Sequence, residues 1–275
     1  MVGVNIVNPK VSIITASFNY ENFIKETIES VLNQTFKDWE MIIVDDGSSD
    51  NSVNVIKEYC QKDSRIKLFT HPNNENRGLG ETLKLGIKNS SADYLVFLES
   101  DDTISENCIG QKFKIFAQYP SVGFLYNNIQ FIGDERYFFN KTMRKINKYW
   151  EEHDYPHCVS DLLHIGNYIP TFSCVMLKKD LLTGCDFNPP KMAYLDYWLW
   201  AQICAKTDFY YTKEKLTNWR KHGESYIRKD QKNNLIIFEF FKQLYKILPP
   251  VKNFKFKILY LYKRFRIFYK YKLNF

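Results

Sequence analysis

The fold class follows from one segment, VSIITASFNYENFIKETIESVLNQTFKDWEMIIVD, residues 11–45. It begins with a short apolar run of β-forming residues, VSIITASF, and it ends with another, WEMIIVD. Between these runs, FIKETIESVL places Ile24, Ile28 and Val31 or Leu32 on one face of a helix. A strand, a helix and a second strand in this order predict a parallel β-α-β unit.

The alternation continues to residue 98. The run SVNVIKEYC predicts a second helix and RIKLF a third strand. LGETLKLGI then predicts a third helix with Leu79, Leu83 and Ile87 on one face, and DYLVFL predicts a fourth strand. The pattern therefore predicts an α/β fold, with a mostly parallel central sheet flanked by helices. Ligands of such sheets bind at the carboxyl ends of the strands.

Polar clusters follow three of the predicted strands: ASFNY, DDGSSD and ESDD. The last contains Glu99, Asp101 and Asp102. Two ionised carboxylates about 5 Å apart repel by roughly 3 kcal/mol at an effective dielectric constant of about 20. A Mg²⁺ or Mn²⁺ ion shared with nucleotide phosphates would offset this repulsion. A solvated acidic turn that caps the next helix is the alternative, and ESDD alone does not decide between them.

The cluster DDGSSD also has two interpretations. Asp and Gly are typical turn residues, and Ser49 or Asp50 can cap the following helix. In the functional interpretation, Asp46 points into the crevice and accepts a hydrogen bond from a nucleotide base.

The second half of the chain contains a lone acid among aromatic residues, Asp196 in KMAYLDYWLWAQ. Leu195, Leu199 and Ile203 have the spacing of one helical face. Burial would raise the pKa of Asp196 and suit it to act as a general base. A carboxylate that caps the helix or bonds a tyrosine is the alternative.

The positive charge is concentrated at the end of the chain. The formal net charge is +7, and residues 251–275 contain eight Lys or Arg and no acid, so 30 basic and 31 acidic residues remain elsewhere. On a helix that starts after Pro249 and Pro250, apolar residues would form one face and basic residues the opposite face. This pattern predicts an amphipathic helix in a membrane interface. The runs KFK and YKYK also alternate like a strand. A near-neutral body without a recognised module argues against nucleic-acid binding.

The six cysteines include no CxxC pair, and the N-terminus has no signal-peptide pattern. We therefore expect a reduced, cytoplasmic protein. No uncharged stretch is long and apolar enough to predict a transmembrane segment.

Four motifs together resemble the nucleotide-binding half of family 2 glycosyltransferases of the GT-A fold: VSIITASFN, QTFKDWEMIIVDDGSSD, NRGLGETLKLGI and DYLVFLESDD. The resemblance implies a Rossmann-like GT-A domain over residues 1–225. Its nucleotide-binding half would cover residues 1–115 and its acceptor-binding half residues 116–225. Residues 226–275 would then form a basic, aromatic, helical tail.

The resemblance also implies roles for individual residues. Those that match nucleotide-binding positions are Ala16, Phe18, Asp46 and Asp101, with Arg77 or Lys84 substituting for an Arg that many relatives carry at the position of Leu83. Those that match the metal-binding region are Glu99, Asp101 and Asp102. His222 matches a loop that can close over the diphosphate, where it could donate to phosphate or approach the metal. Glu99 stands where relatives usually have Asp, which adds a methylene group. His222 lies in WRKHGES, which is similar to the family segment YRRHGGS.

The segment LDYWLW resembles the family helix EDYDLWLR, whose Asp is the usual catalytic base, and it aligns Asp196 with that base. The resemblance thus implies an inverting, Mn²⁺- or Mg²⁺-dependent, hexosyltransferase-like enzyme. It would transfer a sugar from a nucleotide-diphosphate donor, a UDP-sugar, to a hydroxyl of a glycan or lipid-linked acceptor. The pathway would be capsule, lipooligosaccharide or O-antigen synthesis, with the tail holding the enzyme at the inner face of the cell membrane.

Two other functions stay open. A nucleotidyltransferase would carry a Gly-rich, basic phosphate loop after the first strand, and ASFNYEN lacks one. A GT-A-like module that binds glycans or membranes without catalysis is not separated from an enzyme by sequence.

Overall fold

The computed structural model describes residues 9–135, 167–223 and 234–247. Its strands are β1 (Val11–Ser17), β2 (Trp39–Asp45), β3 (Ile66–Thr70), β4 (Tyr94–Phe97), β5 (Thr103–Ile104), β6 (Phe124–Gly133), β7 (Val175–Lys178) and β8 (Phe209–Lys221). Its α-helices are α1 (Ile24–Leu32), α2 (Ser52–Lys62), α3 (Leu79–Asn89), α4 (Cys108–Gln118), α5 (Leu195–Cys204) and α6 (Asn234–Ile247).

The strands form one sheet in the order β3-β2-β1-β4-β7-β6-β8-β5. Strands β1 to β4 are parallel to one another, as the alternating pattern predicts. Strand β7 is antiparallel to both β4 and β6, whereas β6 and β8 are parallel. The carboxyl ends of β1, β2 and β4 therefore meet at one edge of the sheet.

Alternate residues of the parallel strands supply two apolar cores, one on each face of the sheet. On one face, Ile14 packs in the same cluster as Leu83 of α3 and Trp200 of α5. On the other, Ile13 shares a cluster with Ile28 of α1. This period-2 division explains why the strands are apolar at consecutive positions, since both faces are covered by helices.

Helix α5 differs from the prediction of a single apolar face. All of its residues except Asp196 are buried. The helix lies within the core, and Phe240 of α6 packs against Tyr197 and Trp198 with ring centroids 5.0 and 5.4 Å apart. Asp196, in the first turn, is thus the one residue of this helix that is only partly buried.

Among the helices in the described ranges, none is both long enough and apolar enough to cross a bilayer. The predicted basic helix of residues 251–275 lies outside the described residues, and Ile247 is the last one described.

Candidate functional site

The acidic loop, residues 99–102, follows β4 at the carboxyl edge of the sheet. Its backbone is held from α1, where the Thr27 hydroxyl lies 3.0 Å from the Ser100 carbonyl oxygen and 2.8 Å from that of Asp102. The Asp102 N–H closes a turn by donating to the Glu99 carbonyl at 3.1 Å. This turn gathers the three acids at one place instead of spreading them along a strand.

Asp102 is fully buried and both of its carboxylate oxygens have partners within the protein. The Ser173 hydroxyl donates to Oδ2 at 2.6 Å, and the Arg220 backbone N–H donates to Oδ1 at 2.8 Å. Burial, followed by the charges of Asp101 and Glu99, raises the pKa of Asp102 well above its usual value. These contacts favour a role in shaping the loop over direct contact with a ligand.

Glu99 lies beside the same turn. The Thr171 hydroxyl donates to Glu99 Oε2, and the Glu99 backbone N–H donates to the Ser173 hydroxyl at 3.0 Å. Burial and the neighbouring Asp101 raise the pKa of Glu99 to about 7. The charge of Asp196 raises it further, which means that Glu99 and Asp196 are electrostatic neighbours.

Asp101 pairs with His222, whose Nε2 lies 2.9 Å from Asp101 Oδ2. Because a carboxylate only accepts hydrogen bonds, Nε2 is the donor in this contact. His222 Nδ1 is buried without a partner among the described residues. The ring packs against Phe23 with centroids 4.7 Å apart. His222 directly follows β8, so the end of this strand places the histidine beside the acidic loop.

Asp196 is held by two donors at the start of α5. The Asn167 side-chain amide donates to Oδ2 at 2.6 Å, and the Tyr197 N–H donates to Oδ1 at 2.6 Å. Burial of the carboxyl raises its pKa to about 6, even though both hydrogen bonds lower it. Asp196 lies within the first turn of α5, whose N-cap residue is Tyr194 and which has no side-chain cap hydrogen bond. Each Asp196 oxygen keeps a further lone pair for another donor.

Asp46 organises the loop before α3. Its Oδ1 accepts from the Arg77 N–H at 2.7 Å and its Oδ2 from the Gly78 N–H at 2.9 Å. The Arg77 side chain points elsewhere, since its guanidinium pairs with Glu75 at 3.1 Å. The neighbouring Asp45 closes the turn after β2 by accepting from Ser48.

The loop after β1 lies next to the loop after β2. Asn19 has a positive φ of 55°, and its side-chain oxygen accepts from the Ser49 N–H at 2.8 Å. Ala16 is partly buried against the core, whereas the Phe18 side chain is 43% exposed. An exposed aromatic ring at this edge is available to contact a planar ligand.

Lys84 lies apart from these residues. It pairs with Glu81 and lines a separate cleft of about 640 Å³, together with Lys88, Asp93 and Tyr94. Asp93 and Tyr94 are at the start of β4, whereas the acidic loop is at its end. The structure therefore does not bring Lys84 together with Asp46 or the acidic loop.

The sequence pattern did not identify four contributors to the site: Asn167, Thr171, Ser173 and Arg220. Thr171 and Ser173 occur in the apolar run YIPTFSCVML, where small hydroxyl residues are ordinary core residues. The Arg220 contact to Asp102 comes from its backbone, which leaves no mark on the sequence. The only sequence signal for Thr171 and Ser173 is that two hydroxyl residues, two positions apart, stand just before a strand.

The acidic loop suits a divalent cation by its donor chemistry. The carboxylates of the loop repel one another, so a cation among them would be favourable. They offer oxygen ligands, and the unpaired nitrogen of His222 offers a nitrogen ligand. In residues 9–135, 167–223 and 234–247, no three His, Cys, Asp or Glu side chains form a ready-made metal cage. Mg²⁺ commonly binds one or two carboxylates and completes its shell with water and substrate phosphates.

The sequence model of the protein family "Glycosyl transferase family 2" matches residues 12–183 of the chain. This range contains Asp46, the acidic loop and the hydroxyls of Thr171 and Ser173, and it ends before Asp196 and His222. A curated relative, the glycosyltransferase GlyA of Streptococcus pneumoniae serotype 4, is 32% identical over 116 residues. The match covers 42% of this chain, which spans only 16% of that relative.

Two solved structures share the fold. S. aureus TarS 1–349, in complex with UDP-GlcNAc, superposes with a TM-score of 0.74 at 16% identity, covering 94% of this chain and 73% of that chain. The mannosyltransferase PcManGT from Pyrobaculum calidifontis, in complex with GDP-Man and Mn²⁺, gives a TM-score of 0.63 at 15% identity, covering 94% and 70%. At these identities the likeness concerns the fold alone.

Proposed function

The chain belongs to glycosyl transferase family 2, and from that premise we propose that it is an inverting, divalent-cation-dependent glycosyltransferase. It transfers a hexose from a nucleoside-diphosphate donor, a UDP-sugar, to a hydroxyl of a glycan or lipid-linked acceptor. One observation carries the proposal. The turn after β4 gathers Glu99, Asp101 and Asp102 at the carboxyl ends of the parallel strands, where Asp101 pairs with His222, and the partly buried Asp196 lies near enough for its charge to raise the pKa of Glu99.

The nucleoside lies at the ends of β1 and β2 in this proposal. Asp46 Oδ1 accepts from the Arg77 N–H and lies 3.5 Å from His71 Nε2, whereas Oδ2 accepts from the Gly78 N–H and keeps a second lone pair, with which Asp46 can also accept from a base N–H. Phe18 is exposed at the same edge and offers its ring to the face of the base. Support for a uridine donor comes from the UDP-GlcNAc complex of the structurally similar TarS.

Asp101 is the best-placed ligand for Mn²⁺ or Mg²⁺, with Glu99 and His222 beside it, while Asp102 orients the loop. A bound cation would stabilise the negative charge of the departing diphosphate. Both Glu99 and Asp102 have raised pKa values caused partly by neighbouring acids, so a positive charge at Asp101 would favour their ionised forms. The Mn²⁺ in the complex of the structurally similar PcManGT supports the proposal of a divalent cation.

Asp196 removes the proton from the acceptor hydroxyl as that oxygen attacks the anomeric carbon in line with the leaving group. The amide of Asn167 and the N–H of Tyr197 fix the orientation of the carboxylate. With a pKa of about 6, the group is mostly ionised at pH 7 and is more basic than an ordinary Asp. The proposed pathway is the assembly of a bacterial surface polysaccharide.

Replacing Asp196 by Asn tests the proposal. General-base catalysis contributes about 10²- to 10⁴-fold, so kcat for nucleoside-diphosphate release should fall by a factor in that range, with the donor KM within about twofold. The matched control is Asp208→Asn, which changes an exposed acid just beyond the other end of α5. Unchanged turnover in Asp196→Asn would exclude the proposed base.

A further inference from the structure

Two hydroxyl groups contact the acidic loop from the turn before β7, the strand that pairs with β4. Thr171 donates to Glu99 Oε2, and its Oγ1 lies 3.3 Å from Asp102 Oδ2. Ser173 donates to Asp102 Oδ2 at 2.6 Å and accepts from the Glu99 N–H at 3.0 Å. We propose that Thr171 and Ser173 are positioning residues: Thr171 orients Glu99 for the cation and diphosphate, and Ser173 fixes Asp102, which orients the loop. This inference rests on the proposed function.

The contact between Thr171 and Glu99 depends on the length of the Glu side chain. An Asp at position 99 would end about 1.5 Å short, by one carbon-carbon bond. Its carboxylate would then not reach the Thr171 hydroxyl. Because a hydroxyl has one proton, the short contact to Glu99 takes the Thr171 donor, and Ser173 supplies the donor for Asp102. The two hydroxyls thus serve the two carboxylates separately.

The turn that carries these hydroxyls is itself anchored. The Thr217 hydroxyl donates to the Ser173 carbonyl oxygen at 3.1 Å, and the ammonium group of Lys112 donates to that of Cys174 at 3.1 Å. Thr217, Lys112 and Ser173 are all fully buried. A support fixed from two elements, β8 and α4, holds its donors in place before any ligand binds.

A purely structural role is the alternative, because Thr171 also accepts from the Ser173 N–H at 3.3 Å within the turn. That role predicts a loss of stability without a specific loss of ligand affinity. The two roles can be separated with Thr171→Val, which removes the hydroxyl at constant shape, and Thr171→Ser, which restores it. The control is Ser12→Ala, since Ser12 is fully buried and its hydroxyl donates to Glu40 at 2.7 Å at the start of β1.

The first readout is the affinity of the full chain for Mn²⁺ alone, measured by electron paramagnetic resonance. Loss of a group that orients a metal ligand typically weakens binding by about 10- to 100-fold. We expect that loss in Thr171→Val, recovery to within about twofold in Thr171→Ser, and wild-type affinity in Ser12→Ala. Wild-type affinity in Thr171→Val, or the same loss in Ser12→Ala, would overturn the positioning role.

A double-mutant cycle with Glu99→Asp provides the second readout. If Thr171 acts through Glu99, then Thr171→Val should weaken Mn²⁺ binding in the wild-type protein. The same substitution made in the Glu99→Asp variant should have no further effect on Mn²⁺ binding. Losses that add would indicate a general structural role and contradict the inference. Failure of the proposed function would look different: wild-type protein would bind Mn²⁺, with the expected cycle, and release no nucleoside diphosphate from any donor.

Discussion

Asp196 has the surroundings of a general base. Burial raises its pKa to about 6, and two donors fix both of its oxygens. The aromatic sequence around it predicted the burial, whereas Asn167, one of its two donors, lies 29 positions earlier in the chain. The residue type and the environment were therefore readable from the sequence, and the orienting contact was not.

The pH dependence of catalysis follows from this pKa. Because the ionised carboxylate accepts the proton, kcat/KM should rise with pH, reach half of its plateau near pH 6 and fall about tenfold per unit at lower pH. Steady-state rates at saturating Mn²⁺, measured from pH 5 to pH 8, check this. A flat profile through pH 6 would contradict the assignment.

Stability should have the opposite dependence. Since the pKa of Asp196 is higher in the folded than in the unfolded chain, its stabilising contribution is complete below about pH 4 and is lost as the pH rises through 6. Asp196→Asn removes this dependence, so its gain in free energy of unfolding over the wild type should grow with pH. Asp196→Asn is also the control for the pH profile of catalysis. Its residual kcat/KM should not rise with pH around pH 6.

The other site residues show what sequence can reveal. Acids at strand ends, such as Asp46 and Asp101, were predictable because alternating strands and helices place them at one edge. Thr171 and Ser173 were not, because their partners lie about 70 positions away and a hydroxyl in an apolar run carries no pattern. Lys84 is close in sequence to the loop before α3 but lines a different cleft, so its nucleotide-binding role stays a prediction.

At the level of elements, the first half of the fold was predictable and the second half less so. Strands β1 to β4 and helices α1 to α3 follow local periodicity, and the predicted α/β GT-A fold is confirmed by the likeness to TarS. Strand β8 pairs with β6 through two shifts in register, and β5 contains only two residues. Such pairings depend on contacts distant in sequence, which periodicity does not encode.

Helix α3 approaches the sheet closely at Gly86, which gives a test of the packing. A Cβ there would lie 2.6 Å from Ile14 Cγ2 on β1, closer than atoms can pack. We therefore expect Gly86→Ala to lower the free energy of unfolding by about 1 to 3 kcal/mol. Urea denaturation followed by circular dichroism measures it.

The matched control is Gly110→Ala in α4. There a Cβ would meet Phe36 Cβ at an ordinary 3.6 Å. Alanine in place of a helical glycine should be neutral or stabilise by up to about 1 kcal/mol. Equal effects of the two substitutions would mean that α3 does not pack on β1 as described.

For the whole molecule, positive charge is concentrated in residues 251–275, which contain eight basic residues and no acid. Each Lys or Arg near an anionic surface contributes about 1 kcal/mol to membrane binding. Deleting these residues should abolish co-sedimentation with phosphatidylglycerol vesicles while donor hydrolysis stays near the wild-type rate. Neutral vesicles are the control, and unchanged binding of the truncated chain to anionic vesicles would refute a membrane role.

The central claim is that the acidic loop and Asp196 form the site of a nucleotide-sugar-dependent transferase. The most direct measurement is nucleoside-diphosphate release by the full chain from a panel of UDP-, GDP- and dTDP-sugars, with Mn²⁺ and with chelator. We predict release from at least one UDP-sugar, with a loss of about 100-fold or more in chelator and in Asp196→Asn. Binding of these donors without release from any of them, or release that is equal in Asp196→Asn, would contradict the claim.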